Sequence, residues 1–202
     1  MREDGQRRSG ASDGFAMGTT TLRGRDTGVS RRSNGGAHSP HRERDGGLPM
    51  SVVHARPCSD YEASGVRSAV DACLERLEPV RLGLRPGRRV VLKPNIISAR
   101  GAETAVCTHP SVVRAAAEVA CEAGCDVVIA DEPGYARTGT PEEVHAAAGY
   151  VEACRGLPVT FELLKRGGYR QVAVSSPLAI DSVLISSLVL DADLVVNLCK
   201  CK

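Results

Sequence analysis

Three stretches of the chain run apolar without alternation: Val90-Val91-Leu92, Val127-Val128-Ile129-Ala130, and Leu194 to Leu198. Such runs predict strands buried on both faces, the kind that make up parallel sheets. Each gives way to polar groups: Lys93 and Asn95 after the first, Asp131 after the second, Asn197 and then Lys200 within and beyond the third. Between them the spacing changes to helical. Val66, Ala69, Val70, Cys73, Leu74 and Leu77 recur at three- and four-residue steps, predicting a helix capped by Ser59 or Asp60 and ending near Glu78-Pro79. A second helix opens at Pro110-Ser111, turns Val112, Ala116, Val119, Ala120 and Ala123 inward, and stops at Gly124. Thr140-Pro141-Glu142-Glu143 starts a third, with a threonine cap, a first-turn proline and acids facing the helix dipole; it reaches about Cys154.

The shorter segments complete the pattern. Ser51 to Ala55 reads as a first strand closed by Pro57, and Pro158 to Leu164 as a fourth in the series. Glu132 to Thr140 reads as a mobile, Gly-rich loop, and Gln171–Val174 with Ser182–Ile185 as a hairpin at one sheet edge. Strands alternating with helices predict an α/β fold: an open, mainly parallel sheet, Rossmann-like, with helices on both faces and right-handed crossovers. No internal repeat is visible, so a solenoid is not expected.

Composition changes the picture at the N-terminus. Residues 1–49 carry ten of the 21 glycines, nine arginines against six acids, and no long apolar run. They cannot bury enough surface to offset chain entropy, and the expectation is a disordered tail with a folded domain over residues 50–202. Twin arginines at Arg7-Arg8 and Arg31-Arg32 lack the hydrophobic segment an export signal needs. The remainder is close to neutral, so the formal net charge of +2 gives no argument for nucleic acid. No run approaches a membrane span, and a cytoplasmic protein is expected. Aromatics are scarce, leaving Val, Leu, Ile and Ala to fill the core. The eight cysteines fall partly on helical apolar stripes, where Cys73, Cys121 and Cys154 read as small hydrophobes. Cys121 and Cys125 are separated by a helix end, and no metal site is predicted.

Parallel strands place their carboxyl ends along one edge, so Lys93, Asn95, Asp131, Asn197 and Lys200 are expected to converge there with Thr108 and His109, which precede the second helix. Of 26 basic residues only four are lysine, and Lys93, Lys200 and Lys202 all lie at predicted strand ends. Lysine is a compact charge suited to anion binding, Schiff-base chemistry or proton transfer, whereas at a terminus it also serves simply as a solvated cation. His109 fits a helix cap, a ligand contact or a proton carrier. Asp131 fits a base, a metal or ribose ligand, or a turn cap.

Four blocks in register resemble the DUF362 family: Val-Leu-Lys-Pro-Asn (91–95), Thr-His-Pro with its Val/Ala helix (108–120), Val-Val-Ile-Ala-Asp-Glu-Pro-Gly (127–134), and Ala-Asp-Leu-Val-Val-Asn-Leu-Cys-Lys-Cys-Lys (192–202). The resemblance implies a prokaryotic α/β domain, in some members joined to a ferredoxin-like segment that binds 4Fe–4S clusters. The family's last block commonly reads Asn-Leu-Pro-Lys-Leu-Lys-Thr-His. Here Cys199 and Cys201 replace its proline and second leucine, and the chain ends before Thr-His, so a domain incomplete at its C-terminal end is expected, completed by a second chain or segment. Two functional classes follow. One is a domain binding a small anion, carboxylate or phosphate, held by Lys93 and the start of the second helix. In that reading Asn95, Thr108, Asn197 and Lys200 contact the ligand, and Asp131 or His109 moves a proton. The other is an iron–sulfur-linked electron-transfer or accessory protein without its cluster segment; a truncated, non-functional reading frame is the third possibility. Neither cofactor nor reaction is named by these residues.

Overall fold

The computed structural model describes residues 18–20, 53–98, 100–134 and 139–200. A short strand, β1 (Gly18–Thr20), precedes α1 (Ala63–Arg76), α2 (Glu78–Gly83) and β2 (Arg89–Pro94). After a 3-10 turn at Ala102–Thr104 come α3 (Pro110–Glu122), β3 (Asp126–Asp131), α4 (Pro141–Ala147), α5 (Tyr150–Ala153) and β4 (Val159–Leu163). The chain then runs through β5 (Tyr169–Ala173), β6 (Ser182–Ser186), α6 (Ser187–Leu190) and β7 (Leu194–Leu198).

The main sheet has the order β1-β7-β2-β3-β4. Its four longer strands are parallel, and β1 pairs antiparallel with β7. From β2 the chain steps outward to β3 and β4, then returns past β2 to lay β7 on the other side. The direction of winding therefore reverses between β2 and β7. In an open α/β sheet the crevice outside the carboxyl ends of the strands at such a reversal is where ligands bind. Lys93 and Asn197 stand directly opposite each other there, with Pro94 opposite Leu198.

Helices cover both faces, unequally. Val90, Leu92, Val127, Ile129, Leu194 and Val196 face one large core shared with buried residues of α1 to α5. On the other face Val91, Val128 and Ala130 are covered by Leu188 of α6, with Leu164, Ala192 and Val195 around it. The three apolar runs are strands as their patterning requires, because a residue of either parity along them meets apolar cover.

Several expectations change. No strand forms at 53–59, and Val53 is 85% exposed; residues 51 and 52 lie outside the described residues. The flank of β7 is occupied instead by Gly18–Thr20. This strand belongs to the stretch expected to be disordered, the rest of which lies outside the described residues. Together, β1 and β2 flank β7, and Leu194, Val196 and Leu198 are buried. The first helix stops at Arg76 rather than at Glu78-Pro79, because Leu77 turns extended and Pro79 enters the first turn of α2. Neither Ser59 nor Asp60 caps α1: the N-cap is Glu62, without a side-chain cap bond, and Asp60 Oδ1 accepts from Glu62 N at 3.0 Å, one residue before the helix.

The third helix is two helices: Gly149, at φ +82°, breaks it between Ala147 and Tyr150. The hairpin is present but forms its own two-stranded sheet rather than an edge of the main one. Its strands alternate a half-buried face (Arg170, Val172, Val183, Ile185) with an exposed one (Tyr169, Leu184), and an interior place in a doubly covered sheet needs both faces apolar. A four-residue helix, α6, follows directly and was not among the expected elements. Positions 135–138 of the Gly-rich loop, and Cys201 and Lys202, lie outside the described residues.

Candidate functional site

Thr108 holds the reversal point together. Its hydroxyl donates to Leu198 O at 2.6 Å and accepts from Asn95 N at 2.9 Å, while its own N–H donates to Asn95 O at 3.1 Å. One buried side chain thus joins the end of β2, the end of β7 and the entry to α3. The residue was expected among the ligand contacts, but its hydrogen-bonding groups are used inside the protein. Tyr150 completes the joint by donating its hydroxyl to Thr108 O at 2.9 Å.

Lys93 and Asp131 meet. Lys93 Nζ lies 2.8 Å from Asp131 Oδ1, and Asp131 Oδ2 accepts from Ile96 N at 2.5 Å. The carboxylate is 7% exposed and the lysine side chain 33%, so the pair is anchored inside and approached from the lysine side. Two candidates from separate strand ends are brought into contact, and in this state each neutralises the other.

His109 is the N-cap of α3. Its Nδ1 accepts from Ser111 N at 3.2 Å and lies 2.7 Å from Ser111 Oγ. Its ring stacks on Tyr61, centroids 3.7 Å apart and planes 15° from parallel. Burial lowers its pKa, and the positive charge of Lys200 lowers it further. The carbonyl of His109 accepts from Val112 N and Val113 N at 3.0 and 3.4 Å. With Pro110 lacking an N–H, the first-turn amides of α3 are engaged within the helix and its cap. The helix start therefore offers no spare donor to the anion expected there.

The remaining predicted contacts are less committed. Asn95 reaches Val106 O only at 3.5 Å. Asn197 is half-buried opposite Lys93, and its side chain has no hydrogen-bond partner among the described residues. Lys200, three residues beyond, is close enough to His109 to act on it electrostatically and makes no ion pair among the described residues.

Two nearby residues were not singled out from sequence. Tyr150 is fully buried, and burial raises its pKa. His145 of α4 is also fully buried; its Nε2 donates to Glu162 O at 2.9 Å, which leaves Nδ1 an acceptor with no partner. Burial lowers its pKa, against opposing contributions from the Glu162 carbonyl and from Asp131, Glu142 and Glu162. The available signal was Tyr150 itself, one of four tyrosines, placed directly after a glycine in an otherwise helical run.

Among the described residues no group of three or more His, Cys, Asp or Glu side chains is placed to hold a metal ion. Among the described residues the thiols do not form a cluster-binding set: Cys107 points at Ser98 O and Cys125 at Arg85 O, both at 3.3 Å, and burial pushes Cys154 up to about 11. Nor is any helix among the described residues long and apolar enough to cross a membrane.

Fold and crevice together describe an α/β domain wound in two directions about β2, with its polar residues gathered at the reversal. The chain belongs to the family described as Domain of unknown function (DUF362), whose model matches residues 90–202. It is 30% identical over 142 residues to the thylakoid-associated protein sll1697 of Synechocystis sp., an alignment covering 70% of this chain and 42% of that protein. The chain thus spans less than half the length of this relative. No solved structure matches.

Proposed function

We propose that this domain binds a small anion, a carboxylate or a phosphate, in the crevice between the ends of β2 and β7. The observation that carries the reading is the register pairing of Lys93 with Asn197 at the point where the sheet reverses, with Lys200 and His109 beside it. Lys200 supplies a cation with no carboxylate partner among the described residues, Asn197 an amide with none, and Asn95 a weakly held amide. An oxyanion entering here competes with Asp131 for the ammonium of Lys93. In drawing Lys93 outward it frees Asp131, which is then the group placed to accept a proton from the ligand.

Titration of 15N-labelled protein with sodium phosphate and, separately, sodium acetate tests the reading. Saturable amide shifts at Lys93, Asn197, Val112 and Lys200, reduced in Lys200→Ala, are expected. Shifts absent at both anions, or equal in Lys200→Ala, would overturn it. Iron content and visible absorbance of the same preparation test the alternative of an iron–sulfur-linked protein. The relative's name places that protein at the thylakoid; a cytoplasmic location for this chain is part of our proposal, tested by fractionation of the source cells.

A further inference from the structure

We propose that His109 serves the crevice as a fixed hydrogen-bond donor, held as the neutral Nε2–H tautomer, and does not itself move a proton. The inference rests on the anion-binding reading above and sharpens it: the ligand is an oxyanion that accepts from His109 and Lys200 together.

The argument starts from one atom. Ser111 N is a backbone donor and cannot accept, so the Nδ1 it reaches at 3.2 Å must present its lone pair. Ser111 Oγ, 2.7 Å from the same nitrogen, then donates as well. A neutral imidazole with an occupied Nδ1 carries its single proton on Nε2. That nitrogen has no partner among the described residues and is not among the buried atoms left unsatisfied, so it is open to a ligand. The stack on Tyr61 fixes the ring plane, which a cap bond alone does not do.

Protonation would have to place a second proton on Nδ1. There it would meet the Ser111 N–H head-on and remove the cap of α3. The groups facing the ring from other elements oppose it as well: Tyr61, from the segment before α1, is an uncharged ring, and Lys200, after β7, is a cation. The lowered pKa agrees with this geometry. His109 is thereby left with a donor to offer and no base. The proton acceptor in the crevice is Asp131 once Lys93 leaves it, so the two residues have separate tasks.

Long-range 1H–15N spectra of the imidazole in the anion-free protein read the tautomer directly. Between about pH 6.5 and 8, above the ordinary histidine pKa, an unprotonated Nδ1 and a protonated Nε2 are expected. A proton on Nδ1, or averaging of the two nitrogens, would overturn the tautomer whatever the anion result. His109→Asn tests the donor role. Asparagine caps helices well and its carbonyl can accept from Ser111 N, so α3 and the melting temperature should be nearly kept while the Nε2–H is lost. Phosphate binding should then weaken about tenfold, the effect of one hydrogen bond to a charged ligand. Wild-type phosphate affinity in His109→Asn would overturn the donor assignment. Binding of neither anion to wild-type protein that shows the expected tautomer would instead sink the anion-binding reading and leave the tautomer standing.

Discussion

Thr108 ties three segments with one hydroxyl, and its replacement tests how much the crevice depends on that joint. Thr108→Val keeps the shape but leaves Asn95 N–H and Leu198 O without partners in the interior. Each unsatisfied buried group costs about 1–3 kcal/mol, so a loss of about 2–6 kcal/mol is expected in urea unfolding, with an unchanged m-value. Thr108→Ser, which keeps the hydroxyl, should lose about 1 kcal/mol for the missing methyl. Lys93 offers a second test at the same scale. Lys93→Met strands the buried Asp131 carboxylate with Ile96 N as its remaining partner; the exposed third of the lysine places the effect below the full cost of breaking a buried pair, at about 2–3 kcal/mol. Adding Asp131→Asn should recover most of it. Lys93 and Asp131 were legible in the sequence because a polar residue ending a buried run is conspicuous. Their mutual neutralisation was not, since it depends on the path of residues 95–97, which brings Ile96 N onto the same carboxylate.

At the scale of elements, the apolar runs and the caps of α3 and α4 read correctly, whereas the cap expected at Ser59 or Asp60 did not form. Thr140 and Glu143 form the full capping box that Thr-Pro-Glu-Glu announces, and Gly124 at φ +75° ends α3 where expected. Errors fall where a distant segment decides. Of the strand expected over Ser51–Ala55, residues 53–55 form none, and the partner β7 receives, Gly18–Thr20, comes from a region whose composition argues against structure. The division of α4 from α5 is likewise imposed from outside. Gly149 packs over the start of α3, where a Cβ would sit 3.1 Å from Pro110 Cγ, and its left-handed backbone disfavours any side chain. Gly149→Ala should therefore destabilise by about 1–3 kcal/mol rather than gain helix propensity. Because Tyr150 is the next residue, the strain should also disturb its bond to Thr108, visible as shifts of the Asn95 and Thr108 amides. A stabilised Gly149→Ala, with those amides unmoved, would mean that the break is not what seats Tyr150.

For the whole molecule, two histidines, His145 wholly buried and His109 half-buried, predict how stability follows pH. His145 and His109 both have pKa values lowered by burial, so in mildly acidic solution the unfolded chain binds protons that the folded chain refuses. Stability is then fully present above about 6.5, the unfolded histidine value, and declines as pH falls below it toward the folded-state values. The carboxylates act in a separate, lower window. Arg67 holds Glu122 below its ordinary value, and Asp193 is held down by the Arg89 backbone N–H and by Arg88, so their contribution is lost only as pH falls below the usual carboxylate range. Melting temperature should accordingly drop in two stages. His145 is the larger source of the first, being wholly enclosed by α4, α5 and β4, with Tyr150 and Phe161 against its ring and Glu162 O on its Nε2. His145→Gln separates its part: the amide can still donate toward Glu162 O, it does not titrate, and it carries no unpartnered ring nitrogen. The variant should melt near wild type at pH 7.5, show a shallower decline between pH 6.5 and 5, and leave the lower stage unchanged. A parallel decline in wild type and His145→Gln would mean that His145 accepts its proton in the folded state, with Nδ1 finding a partner in Asp131 or a bound water.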